Sequence, residues 1–225
     1  MRVQRASSLG AWIAPPPPDA PRVFGLDGEE RLRRGLVRAG LDPARIRSGH
    51  EPLPDADRIL LVRSDQAFDP RLLEALPAHP HTALVAQGAD PEAHPELLAI
   101  HVDADRATAA RRALEGGSGF EGRGLRICRP EELVSAYSAA LRKSEPARVW
   151  PARNPREATR AEEALFRAAY KGVTDVVTAW VWPRPALCAT RALAKARISP
   201  NAVTAVSIAM VALATVLFAA GLHGA

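Results

Sequence analysis

The spacing of apolar and polar positions divides the chain into three stretches with different periods. From residue 22 to 146, short apolar runs alternate with helical patterns. PRVFGL reads as a short strand, and GEERLRRGLVRAG as an amphipathic helix stopped by Gly40. ADRILLVRSDQAFD reads as a buried strand running into a turn. DPRLLEAL follows as a helix capped by Asp69 with Pro70 in its first turn. TALVAQG and LLAIHVD are strands, DRATAARRALEGG is a helix, and LRICRPEELVSAYSAALRK is a strand with a closing helix. This order predicts an α/β sandwich with a mainly parallel sheet, and about 125 residues suffice for one core.

The second stretch has a helical period. Leu165, Phe166, Ala169, Val173, Val176, Val177 and Trp180 recur at three- and four-residue spacing, with Glu163, Arg167, Lys171 and Asp175 mostly opposite. With Trp180 and Trp182 at its end, it reads as an interfacial amphipathic helix. Pro183 and Pro185 break it, and a short basic helix near residues 186–196 follows. The third stretch has no polar face. Residues 202 to 222 hold only Thr204, Ser207 and Thr215 as polar members, and no Asp, Glu, Lys or Arg occurs from Ser199 onward. At about 1.5 Å per residue, such a helix spans a hydrocarbon core of roughly 30 Å. Soluble helices of that length keep a polar face, so a membrane span is predicted.

Charge orients the span. The chain carries 30 Lys and Arg against 25 Asp and Glu. After Arg142 nearly every charge is basic, apart from Glu145, Glu157, Glu162, Glu163 and Asp175. Arg184, Arg191, Lys195 and Arg197 precede the span and only His223 follows it, which places the N-terminal part in the cytoplasm; the expected location is the inner membrane. Few aromatics interleave with these cations, so a bilayer rather than nucleic acid is the expected partner. Cys128 and Cys188 lie far apart with no CxxC or His cluster, and read as reduced thiols outside any disulfide or zinc site. The N-terminus, MRVQRASSLGAWIAPPPPDAP, has too brief an apolar run for a signal peptide and reads as a flexible, Pro-rich arm.

Ser199 and Pro200 form a capped helix start, and Asn201 and Thr204 then share one helical face at the cytoplasmic rim. Capping needs only Ser and Pro. Asn201 and Thr204 are either plain first-turn residues or ligand contacts.

The run from Glu162 to Gly221 resembles the opening of the CDP-alcohol phosphotransferase family, integral membrane enzymes of phospholipid and related phosphodiester synthesis. The resemblance rests on K-x-x-x-D (Lys171, Asp175) in the juxtamembrane helix, a basic connector, and S/T-P-N-x-x-T (Ser199, Pro200, Asn201, Thr204) at the first span. It implies that Pro200, Asn201 and Thr204 line the pocket for the CDP moiety, with Lys171 and Asp175 as juxtamembrane contacts. It implies a CDP-alcohol and an acceptor alcohol as substrates, and leaves room for a homodimer. The family's D-x2-D-G-x2-A-R-x8-G-x3-D-x3-D signature, which holds the divalent cations, occurs nowhere in the 225 residues. Mg2+ is therefore expected of the complete family domain and not of this chain, which reads as a truncated or split form without catalytic residues of its own.

Residues 22–146 resemble, in order and in the phrases RLRRGLVRAG and ADRILLVRSDQAFDPRLLEAL, the sugar-phosphate nucleotidyltransferase fold, Rossmann-like and found fused to some family members. That resemblance makes Asp65 a vestigial metal position. The glycine-rich loop that cradles a triphosphate is missing, replaced by the proline run and FGLDGEE, so a degenerate domain is expected. GGSGFEGRG follows a helix and reads as a flexible loop; His79 and His81 read as surface residues, and Asp103 and Asp105 as helix-capping residues. The expected organisation is an arm over 1–21, the α/β domain over 22–146, a linker over 147–160, juxtamembrane helices over 161–197 and the first membrane helix over 198–225. Two alternatives stand beside the transferase: a membrane-anchored nucleotidyltransferase-like module that binds or regulates without catalysis, and a tail-anchored scaffold.

Overall fold

The computed structural model describes residues 8–86, 95–116, 124–139, 141–169 and 182–221. The chain forms two units, Met1–Thr174 and Asp175–Ala225.

The first unit is built on a six-stranded sheet in the order β2-β1-β3-β6-β5-β7. Its strands are β1 (Leu9–Ile13), β2 (Ile46–Ser48), β3 (Arg58–Val62), β5 (Thr82–Ala86), β6 (Glu96–Asp103) and β7 (Arg126–Cys128). β1 runs parallel to β2 and β3, and β5 runs parallel to β7, but β6 is antiparallel to both of its neighbours. The sheet is therefore mixed rather than mainly parallel. The reason is connection length: β6 follows β5 after nine residues, too few for the crossover that parallel neighbours need.

Side chains alternate across the sheet. Leu60 and Val62 of β3 face Leu32 and Leu36 of α1 (Gly28–Arg38) and Leu72 and Leu76 at α2 (Pro70–Ala75). Ile59 and Leu61 face Ala107, Ala110 and Leu114 of α3 (Ala104–Leu114) on the other side. Helices thus cover both faces of one sheet.

Several sequence expectations are corrected. The first strand is not PRVFGL but LGAWI, within the segment read as an arm. Ala11, Trp12 and Ile13 are completely buried, because a strand covered on both faces is a continuous apolar run without alternation. Val23 and Leu26 instead close a tight turn by exchanging backbone hydrogen bonds, with Phe24 (φ 48°) and Gly25 (φ 75°) both left-handed. ADRILLVRSDQAFD divides into β3 and β4 (Gln66–Phe68). The expected closing helix is only α4 (Pro130–Leu133), followed by a hairpin of β8 (Tyr137–Ser138) and β9 (Lys143–Ser144). Arg71 competes with the helix here: its Nη1 donates to the carbonyls of Ser135 and Ala136, and its Nη2 to that of Glu145. The expected linker holds β10 (Val149–Pro151), paired antiparallel with β4, and the start of α5 (Pro155–Ala168). α5 packs Ala158 and Leu165 against Val23, Phe24 and Ala152, so its apolar face belongs to the α/β unit.

In the second unit, α6 (Pro183–Lys195) ends in a tight elbow and α7 (Pro200–Ala219) follows. α7 has a mean hydropathy of 2.3 with none of its residues buried, and it is the one helix among the described residues long and apolar enough to cross a membrane.

Candidate functional site

In an open α/β sheet, ligands bind beyond the carboxyl ends of the strands where the strand order reverses. The chain leaves β1 for β2 on one side, while β3 lies on the other, so the reversal falls between β1 and β3. Asp65 lies just past the end of β3 and is buried to 5 % exposure. It does not face an open site. Arg63 Nε and Nη2 grip its two oxygens at 2.9 and 2.6 Å, and Arg153 Nε donates to Oδ2 at 3.1 Å. Glu96 completes the cluster, 3.0 Å from Arg63 Nη1 and hydrogen-bonded by Arg153 Nη2. Burial opposes the charge of Arg153, but the Glu96 hydrogen bond and the charges of Glu96 and Asp65 raise its pKa overall. Two guanidinium groups already satisfy the Asp65 carboxylate, and a divalent cation would have to displace both. These residues do not fit a metal.

The neighbouring helix end is closed as well. α1 presents its N-terminus here, the place where a phosphate would meet backbone N–H groups. Gly28 instead sits against the Ser64 carbonyl so closely that a Cβ on it would lie 2.0 Å from that oxygen. Asp27 caps Glu30 N at 2.7 Å, and Glu29 and Glu30 add two more carboxylates to the first turn. Arg31 reaches under the same loop and donates to the carbonyls of Ser64 and Gln66 at 3.4 and 2.9 Å. Burial lowers its pKa to about 10, against the attraction of Asp27, so it stays charged at neutral pH. The 63–66 loop is thus braced by arginines from three parts of the chain.

A recess of about 490 Å³ opens at the other end of the central strands, where β1 and β3 begin and β6 ends, lined by Ser8, Arg45, Asp55, Asp57, Asp103 and Asp105. Asp57 accepts from Ser8 N at 2.7 Å and from its hydroxyl at 3.0 Å, and these bonds hold its carboxyl below the usual range. Among the described residues, no group of three or more His, Cys, Asp or Glu side chains is placed to hold a metal ion. Asp103 is the N-cap of α3, but its side chain makes no capping bond and lies 3.7 Å from His81. His79 Nδ1 pairs with the Ala75 carbonyl at 2.8 Å. Cys128 is buried and Cys188 exposed, and both are free thiols.

At the start of α7, Ser199 Oγ accepts from Ala202 N at 3.2 Å and Pro200 occupies the first turn. Thr204 Oγ1 donates to the Pro200 carbonyl at 3.1 Å, and Ser207 and Thr215 return their protons to Val203 and Val211 in the same way. Asn201 is exposed and its side chain makes no hydrogen bond among the described residues. Pro200 and Asn201 therefore sit in the first turn, and Thr204 lies one turn after Pro200. Lys171 and Asp175 lie outside the described residues, as does most of GGSGFEGRG.

Sequence reasoning singled out Asp65 but not its partners. Arg63 carried a signal, two residues away in the same phrase; Arg153, 88 residues on, carried none. The chain matches no known protein-family model, and no curated protein is significantly similar to it.

Proposed function

We propose that the chain is the N-terminal portion of a membrane CDP-alcohol phosphotransferase, anchored in the inner membrane with its α/β unit in the cytoplasm. The observation that carries this reading is the threshold of α7: a Ser199-capped, Pro200-started helix with an exposed Asn201 whose side chain has no partner among the described residues, and with Thr204 one turn after Pro200. A helix start needs neither Asn201 nor Thr204, and both would stand at the membrane rim. The cations at 184, 191, 195 and 197, all before the span, support the orientation.

In the reaction, the acceptor alcohol's oxygen bonds to the phosphorus that carries the donor alcohol, and CMP leaves. The residues described here would bind and position the CDP moiety. Mg2+, where bound, would neutralise charge on the phosphates, held by the Asp signature that these 225 residues do not contain. The α/β unit is, in this reading, a nucleotidyltransferase-like domain that has exchanged its metal carboxylate for an ion-pair anchor at Asp65.

A second reading, a membrane-anchored module that binds or regulates without catalysis, draws on that same locked Asp65 and on the closed end of α1. One assay separates the two. Membranes from cells producing the protein from its natural gene, supplied with Mg2+ and a radiolabelled CDP-alcohol, are expected to release CMP and form a phosphodiester. Absence of CMP release with every acceptor alcohol offered overturns the transferase and leaves the second reading.

A further inference from the structure

The elbow between α6 and α7 holds a cation where the backbone favours glycine. α6 ends with Arg197 N donating to the Ala194 carbonyl and Ile198 N to that of Leu193, both at 3.0 Å, a helix stop whose pivot must be left-handed. That pivot is Arg197, at φ 56°. Arginine is strained in this conformation and glycine is not. Along α6, Arg184, Arg191 and Lys195 recur at seven- and four-residue spacing, which stacks them in one stripe with Cys188. Arg184, Cys188, Lys195 and Arg197 are exposed, whereas Leu187 and Leu193 are half-buried. No carboxylate occurs anywhere from residue 176 to 225.

We infer that α6 and its elbow form a docking surface for the headgroups of anionic phospholipids. The inference rests on reading α7 as a membrane span, which fixes Arg197 three residues before the helix and so at the lipid–water boundary. An acid-free stripe of cations at that boundary is complementary to a negatively charged leaflet, and each cation adds to the attraction. Strain at Arg197 is then retained because the side chain, not the backbone, is what the position requires.

The test uses the full chain carrying a nitroxide on Cys188, Cys128 being buried, in vesicles of phosphatidylcholine alone or mixed with phosphatidylglycerol. The label is expected to lie against lipid only in the anionic vesicles and to be released by added salt. Arg184→Gln, Lys195→Gln and Arg197→Gly are each expected to lower the lipid-facing population about fivefold. Arg197→Gly is the telling variant, because it relaxes the backbone and cannot lose lipid contact through misfolding of the elbow. Equal label exposure in both vesicle types, or no response to salt, overturns the docking surface while leaving the span intact. Protection of the label by pyrophosphate in phosphatidylcholine vesicles assigns the cations to a soluble diphosphate and also overturns it. Failure to enter either vesicle overturns the span, and this inference with it.

Discussion

Asp65, just past the end of β3, and Arg153, 88 residues later, meet at 3.1 Å. The contact ties β10 and α5 to the central sheet, and the backbone agrees: Ala152 N donates to the Asp65 carbonyl at 2.8 Å. The Asp65 carboxylate thus holds the C-terminal part of the α/β unit onto the sheet. Asp65→Asn removes the charge both arginines need and is expected to cost about 1–3 kcal/mol. The fluorescence-detected urea midpoint of the chain in detergent checks this, with Trp12 as a fully buried reporter. Added Mg2+ is expected to leave the wild-type midpoint unchanged.

Gly28 makes a sharper demand. Its α-carbon lies so near the Ser64 carbonyl that any side chain must push α1 off the 63–66 loop. Gly28→Ala should therefore destabilise the α/β unit by about 1–3 kcal/mol. An alanine at an ordinary helix position would instead stabilise it. Thermal unfolding of the two proteins under one condition decides the sign.

Stability should also fall with acid. His101 of β6 is 1 % exposed, with Nδ1 at 3.1 Å from the Leu76 carbonyl and Nε2 lacking a hydrogen-bond partner. Burial lowers its pKa, helped by the charges of Arg58 and His81 and opposed by the bond to Leu76. The unfolded chain titrates near the ordinary value of about 6.5. Between that value and the depressed folded one, the unfolded state takes a proton that the native state refuses. Stability is thus full above about pH 6.5 and is lost as pH falls through the folded pKa. Urea midpoints across this range should decline for the wild type and decline less for His101→Gln.

The outline of the α/β unit was legible because helix signals are local. Asp69 with Pro70, and the apolar faces of GEERLRRGLVRAG and DRATAARRALEGG, mark their helices without reference to anything distant. α7 was legible for the same reason, its lack of charge being a property of the segment itself. LGAWI was not, since a strand buried on both faces gives no alternation and four prolines follow it closely. The antiparallel turn of β6 could have been inferred from the missing crossover between TALVAQG and LLAIHVD. The closing helix failed because Arg71, more than sixty residues upstream, takes the carbonyls that a helix would use. Asp65 was singled out but its ion-pair partner was not, for a like reason: Arg153 comes from a segment whose sequence reads as a linker.

The proposed span can be tested by charge. α7 carries no ionised group over 20 residues, and an arginine near its middle costs about 3 kcal/mol on insertion. Val211→Arg should move a large part of the chain from the carbonate-resistant membrane fraction to the soluble or degraded one. Ser199→Ala removes only a cap, worth about 1 kcal/mol, and should leave the chain in the membrane.

Asn201 and Thr204, three residues apart at the start of α7, are not equivalent. The Thr204 hydroxyl proton is committed to the Pro200 carbonyl at 3.1 Å, which leaves its oxygen able only to accept. Asn201 retains two donors and an acceptor, none of them engaged by the described residues. A CDP moiety offers mostly acceptors on its phosphates and sugar, so the unspent donors of Asn201 are the better match. If the proposed transferase reading holds, Asn201→Ala in the product of the natural gene is expected to lower kcat/KM for the CDP-alcohol by roughly 10-fold or more, with the loss mainly in KM. Thr204→Val should cost several-fold less, because only an acceptor disappears. Steady-state kinetics of both variants in membranes check the order, and a larger loss at Thr204 would place the ligand on the oxygen's open side instead.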